Sequence, residues 1–146
     1  MKQENDSAKD MVVATFEIKD CHYKDNCLPT LNDMLAQATR HPIAYNDFKK
    51  DMERVTIRAI RSDLKGWKAA KRVRLDIIWG EKSKGTLRDW DNVVAAGRKI
   101  INDALVKTDT IHDDNPHYLG YGTNTFVYTD KPFVKVDIVE IEEFTR

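Results

Sequence analysis

Cysteine is scarce in this chain: Cys21 and Cys27 are the only two, and their spacing fits neither a zinc knuckle nor a redox dithiol motif. With no export signal in the polar, mixed-charge segment Met1–Asp10, both are expected to be reduced thiols in a cytoplasmic protein. Long apolar runs are missing as well. Stretches such as Met11-Val12-Val13-Ala14 are soon interrupted, far short of the roughly 20 residues that a bilayer-spanning helix needs. Glycine and proline number only 6 and 4, with no cluster to form a linker, no internal repeat and no Gly-rich phosphate loop of the Walker type. Net charge is absent too, since 24 Lys and Arg balance 24 Asp and Glu.

What remains is a chain of 146 residues, 41% apolar and 33% charged, which suits one globular domain over 1–146 with Met1–Asp10 as a flexible leading segment. The zero net charge hides an uneven distribution. From Lys49 to Arg74 there are ten basic residues against Asp51, Glu53 and Asp63, while acidic residues gather later, at Asp137, Glu140, Glu142 and Glu143 among others. A basic stretch suits phosphate binding, although a solvated helix face gives the same composition.

Met11 to Ile18 is rich in Val, Thr and Phe and reads as a strand. Asp20 to Leu35 reads as a loop with a short helix at its end. Tyr45, Phe48, Met52, Val55, Ala59 and Ile60 recur three and four apart, predicting an amphipathic helix to about Leu64, closed by Gly66. In Lys71 to Trp79 the apolar Val73, Leu75, Ile77 and Trp79 alternate with polar residues, predicting a strand with one buried face. From Asp91 onward Val93, Val94, Gly97, Ile100, Ile101, Ala104 and Leu105 predict a second helix. Tyr118 to Tyr128 reads as a short strand or bent ribbon, and Phe133 to Ile141 as the last strand. The order implies an α+β domain, a mixed sheet packed with two main helices.

The run Arg88-Asp89-Trp90-Asp91-Asn92 carries the chemistry. Two carboxylates at i and i+2 in an extended segment share one side of the backbone. If Asp113 or Asp114 returns to join them, three hard oxygen donors converge, and a divalent cation would neutralise the repulsion. With no cysteine nearby, magnesium or manganese is favoured over zinc. Trp90, between the aspartates, is expected to point away from them into the core, with a wedge against bound nucleic acid as the alternative. Each group also has a plainer reading: Asp89 or Asp91 as a helix cap, Asp113-Asp114 as turn residues, and His112 and His117 as surface residues without a further zinc ligand.

Asp89-Trp90-Asp91-Asn92 opening a helix, with Asp113-Asp114 beyond it, resembles the signature of the RusA-type Holliday junction resolvases. Leu28-Pro29-Thr30-Leu31-Asn32-Asp33 is similar to the loop that follows the first strand in that family, and Tyr45 to Leu64 falls where its first long helix belongs. The resemblance extends over nearly the whole chain. It implies a small homodimeric endodeoxyribonuclease of bacterial or prophage origin that binds four-way DNA junctions and nicks two opposing strands with Mg2+, or Mn2+ as a substitute. By that resemblance Asp89, Asp91 and Asp114 are the catalytic carboxylates and metal ligands, with Asp113 the alternative to Asp114. The family commonly carries a lysine four residues past the second motif aspartate, where this chain has Ala95. Arg98, Lys99 or the Lys82-Lys84 loop is expected to supply the missing charge.

DNA contacts are expected from Asn32, Lys65, Lys68, Lys71, Arg72, Arg74, Lys82, Lys84 and Arg88, acting on phosphates rather than bases, with fixing its own loop the alternative role for Asn32. Products with 5' phosphate and 3' hydroxyl ends follow from the resemblance. Two rival readings stand beside it: a junction-binding relative with lost or altered catalysis, motivated by Ala95, and another metal-dependent phosphotransfer enzyme.

Overall fold

Alternation along Val73–Lys82 makes this segment, β2, the central strand of the sheet. In the computed structural model, which describes residues 11–146, Val73, Leu75, Ile77 and Trp79 are all essentially inaccessible to solvent, while Arg74, Asp76 and Ile78 between them are half-buried. The other strands are β1 (Val12–Lys19), β3 (Leu119–Gly120), β4 (Asn124–Thr129) and β5 (Phe133–Glu140). Their order is β1-β5-β2-β3, with β4 also pairing with β2. β5 runs antiparallel to both β1 and β2, whereas β3 and β4 run parallel to β2. The sheet is therefore mixed, and the domain is α+β as expected. Met1–Asp10, expected to be flexible, lies outside the described residues.

Three helices accompany the sheet: α1 (Leu31–Arg40), α2 (Pro42–Leu64) and α3 (Trp90–Lys107), the first being the short helix expected at the end of the Asp20–Leu35 loop, extended to Arg40. It starts where side-chain chemistry permits. Thr30 accepts from the Asp33 N–H and Asp33 accepts from the Thr30 N–H, a reciprocal capping box. Asn32, expected in a loop, therefore sits in the first turn of α1. His41 separates α1 from α2, because Pro42 cannot continue a helix but suits the first position of the next. His41 Nδ1 accepts from the Ile43 N–H at 3.2 Å. α2 ends with Lys65 in the left-handed region and Gly66 following at φ 85°.

One face of the sheet meets all three helices in a single core. Phe16, Ile77 and Ile138 from the strands pack in one cluster with Met34, Ile60 and Ile101 from the helices. No helix among the described residues is long and apolar enough to cross a membrane.

Close approach fixes two glycines. A Cβ on Gly122 would lie 1.7 Å from the Leu75 carbonyl oxygen, and one on Gly97, within α3, would lie 2.5 Å from the Trp79 ring. Gly97→Ala should gain about 1 kcal/mol of helix propensity and lose about 1–3 kcal/mol by overpacking. The net expectation is a loss of about 0–2 kcal/mol and a melting temperature lower by up to roughly 6 °C; a thermal melt above the native value would sink this account of the α3–β2 contact.

Cys21 is exposed and Cys27 buried, its Sγ donating to the Asp20 carbonyl at 3.1 Å. Burial first, then the negative charges of Cys21 and Glu81, push the Cys27 thiol up to about 12. Titration of the native protein with an aromatic disulfide near pH 8 should modify Cys21 alone, with Cys27 reacting only after denaturation. Rapid loss of both thiols from the folded protein would contradict this burial.

Candidate active site

Five of the residues singled out from the sequence meet in one cleft of about 450 Å3. Asp89 and Arg88 come from the segment leading into α3, Lys82 and Lys84 from the end of β2 and its loop, and Asn32 from the first turn of α1. Asn92, Lys24 and Asp33 complete its polar lining. Asp89 is the N-cap residue of α3 and Asn92 follows three positions later, so the two share one side of the helix start. Lys82 Nζ reaches Asp25 at 2.9 Å and Lys24 Nζ lies 3.9 Å from Asp33. The cleft thus alternates lysines with carboxylates and amides, next to the positive end of a helix dipole.

The expected convergence of three carboxylates is not found. Among the described residues no group of three or more His, Cys, Asp or Glu side chains is placed to hold one metal ion. Two reasons are geometric. Asp89 and Asp91 do not lie in an extended segment: α3 begins at Trp90, so they occupy the N-cap and second helical positions and project differently. Asp113 and Asp114 lie beyond the other end of α3, a helix about 27 Å long. Asp113 closes its own turn, accepting from the Asp114 N–H at 2.7 Å and the Asn115 amide at 3.0 Å.

Asp114 belongs electrostatically with Lys99. The hydrogen bond from Lys99 Nζ to Asp103, at 3.1 Å, and that carboxylate's charge hold the ammonium above its ordinary range, with Asp114 and Glu53 adding to the effect. Asp91, Ala95 and Lys99 follow one another at four-residue intervals and are all exposed. Lys99 is therefore about 12 Å along α3 from Asp91, and a lysine at position 95 would stand between them. Among the described residues neither Asp89 nor Asp91 has a side-chain hydrogen bond or ion pair. Asp89, uncommitted and in the cleft, is one carboxylate of the kind that suits Mg2+, which commonly takes one or two protein carboxylates and fills its octahedron with water and phosphate oxygens.

Arg98 and Arg88 are structural fixtures rather than free cations. Arg98 lies across β2 and β4, donating to the Leu75 carbonyl at 2.9 Å, the Thr123 carbonyl at 2.7 Å and Asn124 Oδ1 at 2.9 Å. Burial lowers its affinity for its proton, and Asp76 partly restores it. Asp76 itself is pushed up by burial, but the Arg74 guanidinium and the Thr123 N–H more than reverse this, leaving the carboxyl below its usual range. Arg88 Nε and Nη2 each donate to Glu81 at 2.7 Å, and Nη1 to the Leu28 carbonyl at 2.7 Å. Its charge is neutralised by a carboxylate that is itself buried, so Arg88 shapes the wall of the cleft.

The basic run does not form one patch. Lys49 and Lys107 engage the buried Glu53 on α2, and Arg54 pairs with Asp51. Arg72 donates to the Pro116 and Glu142 carbonyls, and Arg74 holds Asp76. Lys71, Arg72 and Arg74 line a separate groove of about 1100 Å3 with His112 and His117, at the end of β2 remote from Lys82. His112 packs against Tyr118 and His117 against Phe144. Lys65 and Lys68 are exposed near the same end.

Trp90 departs most from expectation. It is 60% exposed rather than core, stacked on Phe126 with ring centroids 5.5 Å apart, and its Nε1 donates to the Tyr128 hydroxyl at 2.9 Å. The core placement fails because its neighbours were assigned to an extended segment, whereas α3 already begins at Trp90. Glu81 was missed, since a lone glutamate ending an apolar strand carries no signal of its partner.

Comparison with protein-family models and with curated protein sequences finds no match.

The ion pair yields a sharp expectation. Arg88→Ala leaves Glu81 buried without a partner and should destabilise the protein by about 3–5 kcal/mol. The double variant Arg88→Met with Glu81→Leu should recover most of that loss in denaturant unfolding. Equal stability of Arg88→Ala and the native chain would show that the pair does not hold the cleft wall.

Proposed function

We propose that this chain is a Mg2+-dependent, structure-selective endodeoxyribonuclease that resolves four-way DNA junctions, a RusA-type resolvase acting in recombination and repair in the cytoplasm. The observation that carries this reading is the cleft: Asp89, Asn92, Asn32, Lys82 and Lys84, from three separated segments, line one cavity at the start of α3. The order of motifs along the chain supports it independently, through the resemblance described above.

On this reading Lys82 and Lys84 hold the phosphates flanking the scissile bond, and Asn32 and Asn92 donate amide hydrogens to phosphate oxygens. Asp89, which lines the cleft and lacks a partner among the described residues, would hold the metal; Asp91, likewise without a partner there, would join it only by turning from the exposed face of α3. When bound, Mg2+ would lower the pKa of the attacking water and offset charge on the departing 3' oxygen. Asp25, an exposed partner of Lys82, is displaced as DNA phosphate takes its place, an exchange of nearly equal exposed pairs. Lys99 lies further along α3 and Asp114 beyond its far end, and both bear on the duplex arm rather than on the scissile phosphate. A two-fold symmetric junction needs two such sites, so the active species is a homodimer.

A second reading has its own observation. Ala95 is exposed between Asp91 and Lys99, and no three-ligand metal group is found among the described residues. Both favour a relative that binds junctions without cutting them.

Incubating a synthetic four-way junction and its matched linear duplex with the protein in Mg2+ separates the two. Paired symmetric nicks on the junction alone are expected, reduced at least about a hundredfold in Asp89→Asn and Asp91→Asn. Tight junction binding without nicks supports the second reading, and Ala95→Lys then becomes the variant expected to restore cleavage. Equal affinity for junction and duplex overturns both.

A further inference from the structure

The indole of Trp90 is held rigidly yet left open. Its inner face stacks on Phe126 at 5.5 Å with 23° between the planes, and Phe126 in turn lies 6.3 Å from the buried ring of Trp79, again at 23°. Its ring nitrogen is occupied by the Tyr128 hydroxyl. A side chain that had only to fill space would not be supported by a stack of rings and still remain 60% exposed. The support also removes the entropy that a free surface tryptophan would lose on binding.

Position adds the second part of the argument. Trp90 directly follows Asp89, which lines the cleft together with Lys82, Lys84 and Leu87. In the β2–β4 register Tyr128 stands opposite Glu81, one residue before Lys82. The ring is not part of the cleft lining but stands over β4, so an uncharged aromatic face lies next to the helix start at which Asp89 enters a cleft whose lysines suit phosphates. Phosphates at a fixed spacing from an aromatic ring are the complement of a nucleotide whose base is free to stack. Within a continuous duplex both faces of each base pair are already stacked; at a branch point one face is open.

We infer that Trp90 is a stacking platform for the exposed base at a DNA branch point, and so a specificity-determining residue beside the cleft. This rests on the proposed junction-directed function and deepens it. The two acidic neighbours provide the chemistry while the residue between them selects the structure. No base identity is read, because every base offers a π face.

Binding measured without divalent cation tests this, using a four-way junction, the same junction with abasic residues at the crossover, and linear duplex. Trp90→Ala should bind the intact junction about tenfold or more weakly than the native chain, with Trp90→Phe recovering most of the affinity. The abasic crossover should cost the native protein a similar factor and cost Trp90→Ala nothing further, since both changes remove one contact. Tryptophan emission should fall on junction binding in the native chain and remain constant in Trp90→Phe.

Equal affinities of native and Trp90→Ala for the intact junction would overturn the inference while leaving the function standing. So would an equal abasic penalty in both proteins. Loss of self-association in Trp90→Ala, seen by sedimentation with affinity per dimer unchanged, would assign the ring to a second copy of the chain instead. A native protein with no affinity for any of these DNAs would overturn the inference together with the function on which it rests.

Discussion

Glu81 carries a carboxylate into the interior at the far end of β2, and the Arg88 fork is what makes that burial tolerable. Both guanidinium edges are used, two nitrogens on Glu81 and the third on the Leu28 carbonyl. The interaction therefore ties three segments together: the end of β2, the loop that leads into α1, and the residues that lead into α3. Those are the segments that line the cleft. A buried ion pair adds little net stability over an apolar substitute, because desolvation offsets most of the attraction. Its effect is geometric. Glu81 and Arg88 set the angle at which Asp89 begins α3, and the Leu28 carbonyl sets where Thr30 starts α1 and hence where Asn32 points.

The sheet face that meets the helices was legible in the sequence because its cause is local. Alternation along Val73–Lys82 and Phe133–Glu140 identifies the two central strands whatever they pair with. The three- and four-residue recurrence from Tyr45 to Leu64 locates α2 in the same way. Pairing is different. That β3 and β4 run parallel to β2, while β5 runs antiparallel on its other side, depends on contacts between residues far apart in sequence, and no periodicity encodes it. The short helix after Pro29 was expected, but its start at the Thr30–Asp33 capping box and its run to Arg40 were not, because the proline and the polar residues before it favoured a loop up to that point.

The acidic motif shows how a one-residue difference in helix start changes a site. Read as extended chain, Asp89 and Asp91 face one way and Trp90 the other. With α3 beginning at Trp90, successive side chains turn by about 100°. Asp89 then joins Asn92 at the cleft, Asp91 joins Ala95 and Lys99 along an exposed face, and Trp90 turns toward β4. The roles of Arg88 and Arg98 were beyond sequence reading for a related reason. A basic side chain is equally suited to a phosphate or to backbone carbonyls, and only the fold shows that Leu75, Thr123 and Leu28 present theirs.

Separation of the carboxylates also bears on how such a site would handle charge. Three carboxylates converging without a cation repel one another, and one would titrate upward to relieve the strain. Here Asp113 is engaged in its own turn and, with Asp114, lies beyond the far end of α3, so the three carboxylates do not converge. Asp89 and Asp91 gain instead from the positive end of the α3 dipole, worth about 0.3–1 kcal/mol at an exposed position. The same dipole disfavours a bare cation and favours phosphate. On the proposed reading, Asp89 would hold a magnesium ion more readily once phosphate is bound beside it, and metal affinity would depend on DNA. Such coupling would keep the two carboxylates uncommitted until a branched substrate had placed a phosphate between Lys82 and Asp89.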